Sequence, residues 1–172
     1  MFYGRQIQLK LLLNLLELPS SISTRTDKVV IEKGIYLAQK AVIGLGYYFR
    51  WNENSGPYCP DLIADIYDFD LLGDDFDHWT FSENPEINHK VQQLKDWFAN
   101  LRKLEEKQCR YWFELLACVM FAMKTELSMP NAKKIQTSIR EGNKEYSLEE
   151  VEAAMKQLQD QGLIHQKILE HV

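Results

Sequence analysis

At 172 residues the chain suits one domain with a real core and is too short for two comfortable ones. Its hydrophobic share of 45% and charged share of 26% are those of a soluble globular protein, and its apolar runs are interrupted by Lys, Asn, Gln or Glu before any could span a bilayer. The net charge of −5, with positive charge thinly spread, argues against non-specific nucleic-acid binding and leaves local recognition open.

The N-terminus, Met1 to Lys10, lacks the apolar core and small-residue cleavage site of a signal peptide, so the cytoplasm is the expected compartment. Cys59, Cys109 and Cys118 are odd in number and widely spaced, with no CxxC pair. That argues against a disulfide framework or a zinc site and for three reduced, mostly buried thiols.

Gln6 to Leu18 is nearly continuously apolar and predicts a helix buried on most sides, ended by Pro19. A Ser-rich turn follows. Thr26 or Asp27 is the expected cap of a second helix reaching Ile43, with Gly44 and Gly46 supplying the left-handed positions that stop it. Tyr47-Tyr48-Phe49-Arg50-Trp51 is strand-rich in type but alternates poorly. The polar turn Asn52 to Ser55 leads into Gly56-Pro57-Tyr58, read as an extended entry to a helix that Pro60 opens and that runs to about Asp68.

Leu71 to Glu83 reads as a polar, acidic loop. Asn84-Pro85 is a helix start, and long helices are expected at 86–103 and 105–124, the second dense in apolar residues and central to the core. A short helix from Asn131 to about Arg140 follows, then a turn at Gly142-Asn143. Ser147 and Glu150 form a capping box, and Leu148, Val151, Ala154, Met155 and Leu158 make one face of the last helix. Gly162 terminates it and Leu163-Ile164-His165 starts an extended piece. The predicted fold is mainly α: a helical body with a short aromatic β-hairpin (1–127) and a winged-helix-like C-terminal unit (128–172) packed on it. The two make one compact domain, with the best hinge at Leu127 to Pro130.

Chemistry is sparse. Asp61, Asp65, Asp68, Asp70, Asp74, Asp75, Asp77 and His78 are ligand types for a divalent ion, but their spacing fits no calcium loop. Solvated loop charge is the plainer reading, a surface for a protein partner the next. Cys59 at a helix N-terminus could have a lowered pKa, yet none of His78, His89, His165 or His171 has a context that pairs with it. No phosphate loop, HExxH or GxSxG occurs. No catalytic residue, metal or cofactor is therefore assigned. The aromatic stretch reads mainly as packing, with Tyr48, Arg50, Trp51 and Tyr58, together with Asp74, Asp75 and Asp77, as candidate partner contacts. For DNA, the last helix opens with an acidic turn that repels phosphate. Lys133, Lys134 and Arg140 before it are better suited.

Several pieces together resemble one family: Arg25-Thr26, Lys33 to Gln39, Leu45 to Trp51, Gly56-Pro57-Tyr58 with Leu62 and Asp65, Trp112 to Ala117, and Leu158 to Ile164. Over nearly the whole chain they resemble the YwgA-like bacterial proteins. Over 26–70 they are similar to the SocA-like antitoxin domain called Panacea. Cys59 departs from the Ser usual before the next helix, and Lys33-Gly34 from a commoner Lys-Leu. The first family has no established catalytic residues, so none is carried over. The resemblance implies a non-enzymatic interaction module, an antitoxin-like or regulatory component of a toxin–antitoxin or phage-defence system. Its partner would be a toxin or effector protein. A winged-helix DNA-binding regulator is the alternative, no membrane is involved, and a homodimer is left open.

Overall fold

Seven α-helices and one two-stranded antiparallel hairpin form among residues 3–72, 79–125 and 131–164, the part of the chain that the computed structural model describes. No helix among these is long and apolar enough to cross a membrane. Two helices carry the centre. In α2 (Arg25–Ala41) every residue from Val30 to Ala38 is buried. In α5 (Glu106–Thr125) Phe113, Leu115, Leu116, Ala117, Cys118 and Val119 are all fully buried. A helix without a solvent face must be enclosed by other elements, and these two pack along each other with the rest arranged around them.

Helix α1 (Tyr3–Leu15) stops three residues before the predicted Leu18. Glu17 takes a left-handed φ of 54° and Leu18 N–H bonds back to the Leu13 carbonyl at 2.9 Å. This closure satisfies a terminal carbonyl and folds Leu18 onto the core, so Pro19 is not what ends the helix. The cap of α2 is Thr24, earlier than Thr26 or Asp27. Its hydroxyl accepts from Asp27 N–H at 3.0 Å, while Asp27 accepts from Thr24 N–H at 2.9 Å. The helix ends at Ala41, before Gly44. Of the two glycines predicted to stop it, only Gly46 has positive φ, at 84°. The chain between is held by Gln39, whose side-chain oxygen accepts from Leu45 and Tyr47 N–H and whose amide donates to the Tyr47 carbonyl. One side chain thus acts as a pairing partner for the approach to the hairpin.

Strands β1 (Arg50–Asn52) and β2 (Gly56–Tyr58) pair with Arg50 opposite Tyr58, Trp51 opposite Pro57 and Asn52 opposite Gly56. The Gly-Pro-Tyr step, expected as an entry to the next helix, is the second strand instead. The three-residue loop explains it. Asn52 Oδ1 accepts from Asn54 and Ser55 N–H, and Gly56, the first residue of β2, takes a left-handed φ of 72° as the chain turns back. Pro60 then opens α3 (Pro60–Tyr67), and a 3-10 turn spans Asp68–Leu72.

Helix α4 (Pro85–Arg102) starts at Asn84, whose side chain accepts from Glu86 N–H. Helices α6 (Ala132–Glu141) and α7 (Leu148–Asp160) pack on α5 and on each other. Ser147 and Glu150 form the predicted capping box. Gly162, at φ 71°, closes α7 as expected, with Leu163 N–H on the Leu158 carbonyl. In the α6–α7 turn the left-handed residue is Asn143, at φ 65°, and not Gly142. Leu163 and Ile164 form no strand. His165 and the proposed hinge 127–130 lie outside the described residues.

Candidate functional site

The segment that leads into the hairpin alternates between a buried and an exposed side. Tyr47 and Phe49 are buried, whereas Tyr48 between them is 74% exposed and Arg50 is exposed. The alternation is therefore regular. It was hidden in the sequence because the outward residue at 48 is as aromatic as its inward neighbours. The register sets Tyr58, half-buried, directly across from Arg50. Tyr48, Arg50 and Tyr58 so form an outward aromatic and cationic edge.

The inner side is fastened at three points. Trp51, half-buried, stacks against Phe121 with centroids 5.6 Å apart and donates its indole N–H to the Gly142 carbonyl at 2.9 Å. A Cβ on Gly142 would lie 2.4 Å from the indole nitrogen, so glycine here serves close approach and Asn143 takes the strained φ. Gly56 is likewise covered by Cys118, whose Sγ would be 2.5 Å from an added Cβ. Third, Lys33 on α2 is fully buried and donates to the Pro57 carbonyl at 2.5 Å and to Glu32 Oε1 at 2.7 Å. The partner strand offers Lys33 a carbonyl, and proline has no N–H to compete for the same space.

Around this last contact lies a polar cluster, buried at Glu32 and Lys33 and half-buried at Glu114, Lys144 and Tyr146, that sequence reasoning missed. Glu32 is 3% exposed, and its Oε2 has no hydrogen-bond partner. Glu114 on α5 accepts from Lys144 and, at 3.3 Å, from the Tyr146 hydroxyl. Burial, with Cys118 and Glu114 nearby, drives the Tyr146 phenol well above its ordinary range. The available signal was a Glu-Lys pair, Glu32-Lys33, inside an otherwise apolar helical run. Charged residues buried side by side within a core helix are rare unless paired.

Asp65 of α3 forms a second, complete network. It accepts from Arg5 at 2.8 Å, Gln6 at 3.0 Å and the Tyr47 hydroxyl at 2.7 Å. Its acceptor capacity is used to tie α1, α3 and the approach to the hairpin together, which makes it structural. Burial and this bond to Asp65 raise the Tyr47 phenol far above its ordinary value.

Cys59 does stand at the N-cap of α3, as anticipated, but its thiol caps nothing and is 1% exposed. Burial outweighs the neighbouring backbone N–H groups and pushes its pKa up, away from a reactive thiolate. Burial also raises Cys109, and takes Cys118 up to about 12. Of the acidic group, Asp61 and Asp68 are exposed, and Asp74, Asp75, Asp77 and His78 lie outside the described residues. No group of three or more His, Cys, Asp or Glu side chains that could hold a metal occurs among the described residues. Lys133, Lys134 and Arg140 are all exposed on α6, with Glu141 beside them. Glu149 and Glu152 on α7 are exposed as well.

No family model, curated protein or solved structure matches the chain.

Proposed function

We propose that the chain is a non-enzymatic protein-interaction module that grips a partner protein with the outer edge of its hairpin. The observation that carries this reading is Tyr48: an aromatic side chain 74% exposed, between two buried aromatics, two residues before exposed Arg50, which stands opposite Tyr58. Tyrosine and arginine are the residue types that anchor interfaces, because each joins a large contact area to hydrogen-bonding groups. The edge is also pre-organised. The Lys33, Trp51 and Cys118 contacts hold the strand pair from inside, so little ordering entropy is lost on docking.

The partner class follows from the sequence resemblance: a toxin or effector protein, with the chain as antitoxin-like or regulatory component of a toxin–antitoxin or phage-defence system. The acidic balance of the chain favours a basic partner. Helices α6 and α7 are read as part of a winged-helix-like unit that serves as scaffold. The experiment is co-purification of the tagged protein with the products of neighbouring genes. A stoichiometric complex that survives nuclease treatment is expected, and no complex with any of them overturns the reading.

A DNA-binding regulator is the second reading, and the exposed row Lys133, Lys134 and Arg140 favours it. Glu141 directly follows that row and the acidic opening of α7 lies next in the chain, both of which repel phosphate. Retention on duplex DNA that falls steeply with salt and is lost in the Lys133→Gln/Lys134→Gln variant would make this the function instead.

A further inference from the structure

We propose that the cavity where the ends of α2 and α7 meet the first half of α4 binds a phosphate group, either the free ion or the head of a small organic phosphate. The cavity has a volume of about 360 Å3, the size of a small-ligand site. Lys40, Lys90, Gln93 and Gln161 line it, and Leu94 and Leu163 give it an apolar wall. None of its lining residues is acidic, in a chain whose net charge is −5. Neither Lys40 nor Lys90 has an ion pair among the described residues. Glu86, one turn before Lys90, does not reach it, and Asp160, beside Gln161, is turned to Lys156 at 3.5 Å.

A lysine at a helix C-terminus has an ordinary reason, because it offsets the dipole there. That accounts for Lys40 and Lys124, in the last turns of α2 and α5. It does not account for Lys90, which stands in the second turn of α4, towards the positive end. Burial and the nearby Lys124 pull the Lys40 ammonium below its ordinary pKa, so it is held beside like charge without a counter-charge. The Tyr36 ring, 5.9 Å from its Nζ, is at the outer limit of a cation–π contact and brings no formal charge. A bound anion brings one. The carbonyls of Leu158 and Gln159 at the end of α7, which would repel it, are engaged by Leu163 and Gly162 N–H at 2.9 Å. Lysine is a point charge and not a fork, so the site has no bidentate grip for a planar carboxylate. A dianion with several acceptor oxygens answers both ammonium groups and the amides of Gln93 and Gln161 together, and a phosphate group carries that charge near neutral pH. The apolar wall leaves space for an organic part.

The inference does not depend on the hairpin edge binding a protein. Isothermal titration of the whole chain at low, matched ionic strength tests it with inorganic phosphate, with phenyl phosphate, and with benzoate, a carboxylate of similar shape. Saturable binding of a phosphate probe at a Kd of about 1 mM or tighter is expected, with benzoate about tenfold weaker. Lys40→Gln and Lys90→Gln are each expected to weaken it about tenfold. Both side chains are exposed, so the melting curves should stay in place. Lys103→Gln, an exposed lysine at the far end of α4, removes the same charge away from the cavity and should leave binding unchanged. Tighter binding of phenyl phosphate than of inorganic phosphate identifies an organic phosphate as the ligand, and the reverse identifies the free ion. Absence of saturation with both phosphate probes, equal binding of benzoate, indifference to Lys40→Gln and Lys90→Gln, or an equal loss in Lys103→Gln would overturn the proposal.

Discussion

Lys33 and Pro57 join the central helix to the hairpin: the buried ammonium donates to the proline carbonyl at 2.5 Å while Glu32 balances its charge. Removing only the lysine leaves Glu32 buried and unpaired. Lys33→Met is expected to cost about 3–5 kcal/mol, most of it the uncompensated carboxylate. In Glu32→Gln/Lys33→Met both charges are gone, and the loss should fall below about 2 kcal/mol. Urea unfolding of the two single variants and the double variant measures this. Additive losses would mean that the two side chains do not act as a pair.

Gly56 meets two demands at once. Its φ of 72° disfavours any other residue, and Cys118 Sγ occupies the place of a Cβ. The left-handed conformation costs about 1–2 kcal/mol for an L side chain, and overpacking about 1–3 kcal/mol more, so Gly56→Ala should lose about 2–4 kcal/mol. Adding Cys118→Ala removes the clash and leaves the backbone cost. The double variant should therefore be more stable than the sum of the single losses predicts, in the same unfolding experiment.

The helices were legible because apolar spacing and caps are local signals. Ser147 with Glu150, Asn84 before Pro85 and Gly162 after α7 stand where the sequence reading put them. Boundaries moved where side chains did a job usually done by glycine or proline. Glu17 and Asn143 take left-handed φ, and Gln39 carries the chain out of α2. The outward edge was only half legible. Residue type named Tyr48, Arg50, Trp51 and Tyr58, but not which of five consecutive aromatic or basic residues turn outward: Trp51, read as a partner contact, stacks on Phe121 and bonds the Gly142 carbonyl instead. Of the polar cluster only the Glu32-Lys33 pair, set in an apolar helical run, left a sequence signal; its meeting with Glu114 and Cys118 comes from tertiary packing, which no spacing announces.

The three thiols should be silent in the folded protein. Cys59, Cys109 and Cys118 are 1%, 4% and 0% exposed, and burial raises the pKa of each. At pH 8 a disulfide reagent should label none of them in the native state within the time that denatured protein takes to react at all of them. The sign with pH follows from Cys118, raised from 9.0 to about 12. Its unfolded thiol ionises first, so its contribution to stability is complete below about 9 and is lost as pH rises towards about 12. Fast labelling of Cys118 in native protein would contradict its place beneath Gly56.

The central claim is that the hairpin's outer edge grips a partner protein. The most direct measurement is the affinity of wild type and of Tyr48→Ala/Arg50→Ala for a neighbour-encoded protein that co-purifies with the chain. Both side chains are exposed, so the variant should keep its stability within about 0.5 kcal/mol. Its affinity should fall about 30-fold or more, the loss expected when interface anchors are truncated. Equal affinity of a stably folded variant for that partner would contradict the account.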